Sequence, residues 1–183
     1  MLIRGGGLGA SAARDGEGSF IFPANGANTP VEILESDSPL IVERRELLPD
    51  SGGPAKQRGA LGRREVFRVP DDAYAPQAAV NLALQSGRFR LPPEGLFGGK
   101  PGARAQFLVN GKPGDPYGLT QLQPGDTVVM DAAGGGGYGN PAERDPEQIA
   151  RDVREGKVSA QSARRDYGAP KTGAEPATTG AER

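Results

Sequence analysis

The sequence predicts an α+β fold, with a β-rich body of short, mostly antiparallel strands followed by two short C-terminal helices. Apolar residues before the C-terminal region lie in short runs that alternate with polar residues or stand between prolines. Glycine and proline together make up about a quarter of the 183 residues, which favours turns and short elements. Helix-start and helix-stop signals are confined to the C-terminal region.

Residues 1–27 are expected to be loop-like, with a glycine triplet and one possible short strand, and the other predicted strands follow them. The segment PQAAVNLALQSGRFRLP fits both helical spacing and strand alternation, and we favour a strand. The other strand candidates are apolar runs bounded by turn residues or prolines: Ser19 to Phe22, Val31 to Leu34, Leu40 to Leu48, Arg64 to Val69, and the segments RAQFLVNG and DTVVMD.

Two helices are predicted from their end signals. Asp145 is a suitable N-cap residue, Pro146 fits the first helical position, and Gly156 can end the helix. A second helix is expected from a Ser159 cap to a Gly168 stop. The residues after Gly168 have little to bury, so a disordered tail is predicted at 169–183.

The absence of cysteine and histidine excludes several kinds of chemistry. A thiolate zinc site, an imidazole metal ligand, a Ser-His-Asp triad and a disulfide framework all need these residues. Oxygen ligands for magnesium or calcium remain, but no pattern indicates such a site. The chain alone is therefore not expected to be a conventional hydrolase of these kinds.

Charge and hydropathy indicate neither a nucleic-acid nor a membrane partner. The formal net charge is -1, and basic pairs such as Arg44-Arg45 are flanked by acidic residues. No apolar run approaches the roughly 20 residues of a membrane span, and the first residues lack a signal-peptide core. A cytoplasmic location is expected.

A glycine cluster after the last predicted strand satisfies the spacing G-x-G-x-x-G at Gly134, Gly136 and Gly139. In a dinucleotide site, a helix N-terminus must follow this loop at once and face the pyrophosphate. Here NPAER separates Gly139 from the Asp145 cap, and a second helix follows in place of a parallel strand. The pattern therefore favours close backbone packing over nucleotide binding.

Four segments in series resemble the C-terminal region of the hydantoinase B/oxoprolinase family. They are GASAARDGEGSF, NTPVEILESDSPLIVERRELLPDSGGPAKQRGALG, RFRLPPEGLFGGKPGA and GGGGYGNPAERDPEQIARDVREGKVSAQSARRDYG. The family includes subunits of N-methylhydantoinases, 5-oxoprolinases and ATP-dependent acetone and acetophenone carboxylases. The resemblance implies that residues 1–168 form the C-terminal portion of a longer domain of this type.

The resemblance also implies a role in an ATP-dependent amidohydrolase that opens a cyclic amide, or in a related carboxylase. The implied partners are an upstream hydantoinase B half and an ATP-binding hydantoinase A-type subunit. The complete enzyme would use ATP and a divalent metal, whereas this chain alone is expected to bind no cofactor. The family's catalytic histidines would lie upstream, so no catalytic residue and no metal ligand is assigned here. Hydantoin, 5-oxoproline and a ketone remain open as substrates.

The alternative is a non-catalytic assembly or interaction module, or an inactive truncated fragment. Within the resemblance, Ala55 and Ala60 stand where the family pattern often has glycine. If these positions require a positive φ, the loop is strained or rearranged.

Polar and glycine-rich loops supply the candidate residues for a substrate site or an intersubunit surface. In each loop the alternative is a structural turn or close packing, which we favour. The candidates are Asn28, Glu32, Asp50, Ser51, Gly52, Gly53, Arg58, Gly134, Gly135, Gly136 and Gly137.

Overall fold

The computed structural model of the chain describes residues 5–18 and 29–168. A five-stranded sheet has the order β1-β2-β7-β4-β5, and β3 pairs with β6 in a second sheet. Every strand pairing is antiparallel within the described residues. The strands are β1 (Ile41–Leu47), β2 (Arg63–Arg68), β3 (Val80–Ala83), β4 (Gln106–Val109), β5 (Lys112–Pro113), β6 (Leu119–Leu122) and β7 (Thr127–Ala132). The helices are α1 (Val31–Asp37), α2 (Pro146–Arg154) and α3 (Ala160–Tyr167), with a 3-10 turn at Pro141–Glu143.

One face of the large sheet carries the core. The alternation of β2 buries Phe67 on this face, and the register places Phe67 directly opposite Val128 of β7. Each large apolar side chain buried in this way contributes about 1.5–3 kcal/mol. The buried members of the core are Leu34, Phe67, Val69, Phe107, Leu122 and Val128.

The α+β prediction is confirmed, and most of the predicted elements occur. The runs Leu40 to Leu48 and Arg64 to Val69 correspond to β1 and β2. The ambiguous segment after Pro76 contains β3, which is the strand that alternation favoured. The segments RAQFLVNG and DTVVMD contain β4 and β7.

Both C-terminal helices have the predicted end signals. The Asp145 side chain accepts a hydrogen bond from the Glu147 amide, and Ser159 accepts one from the Ser162 amide. Gly168 ends α3 in the left-handed conformation, with φ 67°. The two helices and the connection between them bury a small cluster around Ile149, Val158 and Ala163.

The predicted strand at Val31 to Leu34 is wrong, because these residues begin α1. Pro30 stands at the N-cap position, and its carbonyl oxygen accepts a hydrogen bond from the Leu34 amide. Leu34 is the buried residue of α1, so a single helical turn is enough to deliver it to the core. Because the apolar run is only four residues long, its pattern could not distinguish a helix from a strand.

Two short strands were not predicted. Leu108 and Val109 pair with β5 across a hairpin at Asn110-Gly111, where both φ angles are positive. The Asn-Gly dipeptide is a strong hairpin signal, so β5 could have been recognised. The second, β6, pairs with β3 in the two-stranded sheet of the described chain.

Other predictions fall outside the described residues. They are the strand at Ser19 to Phe22 and the tail at 169–183. Among the described residues, no helix has the length and apolar character needed to cross a membrane.

Candidate functional site

Four loops interlock at one end of the large sheet through backbone hydrogen bonds. These loops, residues 5–18, 50–62, 93–103 and 133–139, are called the loop assembly below. The Gly7 amide donates to the Ala133 carbonyl oxygen at 2.9 Å, and the Gly53 amide donates to that of Gly135 at 2.8 Å. Backbone bonds of this kind fix the loops without side chains, which explains how so glycine-rich a region can be ordered.

Gly134, Gly135, Gly136 and Gly137 are all buried at the centre of the loop assembly. A Cβ atom on Gly134 would lie 1.9 Å from the Ser51 carbonyl oxygen, and one on Gly135 would lie 1.8 Å from that of Leu8. Other backbone segments therefore occupy the space beside these two glycines. This geometry is that of close packing and differs from a loop that is open to a pyrophosphate.

Asp50 and Ser51 use their side chains to hold backbone groups. The Ser51 hydroxyl donates to the Leu48 carbonyl oxygen at 2.5 Å and accepts from the Gly62 amide at 2.7 Å. The Asp50 carboxylate accepts from the Ser159 amide at 2.7 Å, which connects the loop to the start of α3. Asp50 itself has a positive φ of 61°.

Gly52 and Gly53 follow at positions where the chain has no room for a side chain. A Cβ atom on Gly52 would lie 2.1 Å from the Gly59 carbonyl oxygen, and one on Gly53 would lie 2.2 Å from that of Lys100. The predicted residues from Asp50 to Gly53 thus lie beside the glycine cluster.

Arg58 joins a network of two arginines and two aspartates, in which Asp15 is partly exposed and the other three residues are buried. Its Nε lies 3.1 Å from an Asp152 carboxylate oxygen, and its Nη1 donates to the Gly59 carbonyl oxygen at 2.7 Å. Arg144 donates from Nη2 to both Asp15 and Asp152, each at 2.7 Å, and from Nη1 to Asp15 at 2.8 Å. Arg58, Arg144 and Asp152 are each only 4% exposed. The two positive and two negative charges compensate one another where isolated charges would be costly.

The electrostatics of the network follow from this pairing. Burial alone would raise the pKa of the Asp15 carboxyl, but hydrogen bonds and charges from Arg144 and Arg58 hold it below the usual 3.8. Burial lowers the pKa of Arg144, but its bonds to Asp15 and Asp152 raise it overall, so the guanidinium stays charged. Burial raises the pKa of the Tyr167 phenol to about 12. The Tyr167 ring lies 5.9 Å from the Arg144 guanidinium carbon, within the range of a cation–π contact.

A cleft of about 450 Å³ opens on the loop assembly. Its charged side chains are Arg88, which has a positive φ of 70°, and Glu94. Both are exposed, and within the described residues the Arg88 side chain makes no hydrogen bond or ion pair. The lining residues are Gly6, Gly7, Leu8, Gly9, Ser86, Gly87, Arg88, Pro93, Glu94, Ala132, Ala133 and Gly136.

The structure brings together most, but not all, of the predicted site residues. The loops from Asp50 to Arg58 and from Gly134 to Gly137 meet in the loop assembly, and Gly136 lines the cleft. Glu32 lies exposed in the first turn of α1, and Asn28 falls outside the described residues. The sequence interpretation did not single out Asp15, Arg144 or Asp152, because an ion pair between distant positions leaves no local signal.

The described residues do not fit a metal centre. No group of three or more acidic side chains is placed to hold a metal in the part of the chain that the structure describes. Since the chain has no His or Cys, no step through a bound metal is assigned to it.

A comparison with models of known protein families identifies the family of this chain. The sequence model described as hydantoinase B/oxoprolinase matches residues 1–141. The chain belongs to the hydantoinase B/oxoprolinase family. Neither Ala55 nor Ala60 is among the described residues with positive φ, so alanine fits both positions without backbone strain.

Several known proteins are similar to this chain over most of its length. An uncharacterised protein of Methanocaldococcus jannaschii is 38% identical over 76% of the chain, and the match covers 24% of that protein. The caprolactamase beta subunit of Pseudomonas jessenii is 33% identical over 88% of the chain and 29% of that subunit. The crystal structure of the ATP-dependent caprolactamase from the same organism matches with a TM-score of 0.72 and 26% identity, over 93% of the chain and 31% of its own chain. The chain thus spans less than a third of the length of these relatives.

Proposed function

We propose that the chain is part of a hydantoinase B-type subunit and forms one wall of an active site for ATP-dependent hydrolysis of a cyclic amide. The observation that carries the proposal is the family match over residues 1–141, together with a chain that spans only 29% of the caprolactamase beta subunit. That relative is named as a subunit of a caprolactamase, and caprolactam is a cyclic amide. The solved structure is that of an ATP-dependent caprolactamase.

Under this proposal the chain contributes shape and position, while the reacting groups belong to other parts of the enzyme. The loop assembly is fixed by backbone bonds and by the buried arginine–aspartate network, so its cleft keeps its form. Fixed walls lower the cost of orienting a substrate. ATP and a divalent metal would be held by the upstream hydantoinase B half and an A-type subunit. These partners act in the cytoplasm under this proposal.

The cleft offers two charged side chains to a substrate, Arg88 and Glu94. An arginine that makes no ion pair within the described residues can donate hydrogen bonds to a carboxylate or carbonyl oxygen. In the proposed enzyme, Arg88 is the positioning group of this wall.

Purification and assay test the proposal in two steps. The tagged chain is purified gently from its native cells, and the intact masses of all co-eluting polypeptides are measured. Recovery of a histidine-containing hydantoinase B-type polypeptide and an ATP-binding subunit supports the proposal. The complex is then assayed for ATP-dependent ring opening of hydantoin, 5-oxoproline and caprolactam, and for ketone carboxylation. A chain that is recovered alone contradicts the proposal and favours the second candidate, a non-catalytic module or inactive fragment.

The substitution Arg88→Ala tests the wall within that complex. Loss of a charge-assisted hydrogen bond, worth about 1.5–3 kcal/mol, should lower kcat/KM by roughly tenfold or more. Arg154→Ala is the matched control, because Arg154 is exposed at the end of α2 and does not line the cleft. Equal kcat/KM values for the two variants would show that Arg88 does not position the substrate.

The second candidate function, a non-catalytic module, is favoured by a different observation. The sequence has no His or Cys, so the general-base and nucleophile roles that these two residues often fill in hydrolases would fall to other side chains or to other polypeptides. A stable, monomeric chain that makes no complex and has no activity would support it.

A further inference from the structure

Two neighbouring apolar side chains project from the loop assembly into solvent. Leu96 is 57% exposed and Phe97 is 77% exposed. The ring centroid of Phe97 lies 5.0 Å from that of Tyr138, which is half-buried and supports it from one side. These two residues, Leu96 and Phe97, are called the 96–97 ridge below.

The backbone of Phe97 is strained. Its φ is 52°, in the left-handed region that a bulky residue seldom adopts. Glycine would fit this conformation without strain, and the residues on either side of the ridge, Gly95 and Gly98, are glycines. Apart from the ring contact with Tyr138, most of the Phe97 side chain faces solvent, and backbone strain of this kind clusters at functional positions.

The ridge is also held rigidly. The Leu96 amide donates to the Gly137 carbonyl oxygen at 2.9 Å, and the Leu96 carbonyl oxygen accepts from the amides of Gly99 at 2.9 Å and Gly139 at 3.0 Å. Because the backbone is already fixed, the ridge would lose little conformational entropy when a partner covers it. Rigid aromatic residues in such settings are typical anchors of protein interfaces.

We propose that the 96–97 ridge docks into an apolar pocket on the remaining portion of a hydantoinase B-type subunit. This inference rests on the proposed function. The length of the relative indicates which partner covers the ridge. This chain matches only 31% of the caprolactamase chain, so most of that polypeptide lies outside the matched region. The location agrees, because Pro93 and Glu94, just before the ridge, line the cleft that the proposal assigns to the shared active site.

The variant Phe97→Gly separates docking from folding. It removes the anchoring ring and also relieves the positive-φ strain, so the urea unfolding midpoint of the isolated chain should stay the same or rise. Binding to the purified hydantoinase B-type polypeptide recovered from the native cells should weaken by more than about tenfold, as for an interface anchor. Tyr74→Ala is the matched control, because Tyr74 is 85% exposed in a turn on a different loop. That control should bind like the wild type.

Four outcomes have distinct meanings. Weakened binding by Phe97→Gly with undiminished stability supports the inference. Wild-type affinity of Phe97→Gly overturns it and leaves the proposed function standing. Failure of the wild-type chain to bind any hydantoinase B-type polypeptide overturns the proposed function and this inference together. Self-association of the wild-type chain that Phe97→Gly abolishes would assign the ridge to a second copy and would also overturn the inference.

Discussion

Nη2 of Arg144 lies 2.7 Å from a carboxylate oxygen of Asp15, although 129 positions separate the two residues in the chain. Arg144 stands between the 3-10 turn and α2, and Asp15 lies in the first loop of the loop assembly. The ion pair therefore fastens the C-terminal helices to the loops that form the cleft. The Arg144 side chain is almost wholly buried and that of Asp15 is 30% exposed, so solvent screens the pair only from the Asp15 side.

The first prediction concerns the loss of Arg144. Arg144→Met should lower the free energy of unfolding by about 3–5 kcal/mol, because it removes one of the two arginines that compensate Asp15 and Asp152 and leaves only Arg58. Urea unfolding followed by circular dichroism measures the change. Arg14→Met is the control, since the side chain of Arg14 is 74% exposed and its ion pair with Glu17 should contribute less than about 1 kcal/mol. Equal losses in the two variants would mean that the buried network does not stabilise the fold.

The second prediction is a pH dependence carried by Asp15. The pKa of this carboxyl is lower in the folded chain than in the unfolded chain, so the unfolded state binds the proton more tightly. The stabilisation is present above pH 3.8 and is lost as the pH falls through the lower folded pKa. The difference in unfolding free energy between the wild type and Asp15→Asn should therefore be largest at neutral pH and shrink in acid. A difference that stays constant from neutral pH to acid would contradict this origin.

Local sequence signals predicted those helices and strands in which the end residues and the apolar pattern favour the same element. Asp145, Pro146 and Gly156 mark both ends of α2 chemically. The run Arg64 to Val69 contains most of β2, although the buried face of that strand holds the charged Glu65 beside Phe67. The run at Val31 to Leu34 is too short for its apolar pattern to distinguish a helix from a strand. Pro30 at the N-cap position and the burial of Leu34 in the core favour the helix. Very short strands such as β5 depend on the hairpin turn more than on their own residues.

The candidate site was predictable only where a backbone requirement, such as close approach of two chains, selects glycine in the sequence. Runs of glycine indicated close approach at Gly134 to Gly137, and the structure fills that space with the backbones of other loops. Arg58 was singled out as a polar loop residue, but its partner Asp152 lies 94 positions later. Because complementary charges pair across the fold, the sequence alone does not indicate which acidic residue an arginine will meet.

The third prediction tests the packing of the glycine cluster. Gly135→Ala would place a Cβ atom 1.8 Å from the Leu8 carbonyl oxygen, so the loops must separate. We expect a loss of about 1–3 kcal/mol or more in unfolding free energy. Gly87→Ala is the matched control, because a Cβ atom there meets nothing within 4 Å, and it should leave stability unchanged or slightly raised. If Gly135→Ala were as stable as Gly87→Ala, close packing would not explain the glycine cluster.

The last prediction concerns Tyr167, whose phenol packs beside the buried network. Burial raises its pKa to about 12, above the ordinary value of 10.0, so the folded state holds the phenolic proton more tightly than the unfolded state does. The resulting stabilisation is complete below pH 10 and is lost as the pH rises toward 12. An ultraviolet titration of the four tyrosines should therefore contain a late phenolate component that disappears in Tyr167→Phe and persists in Tyr74→Phe. A late component that survives in Tyr167→Phe would show that this phenol is not the one shielded by the fold.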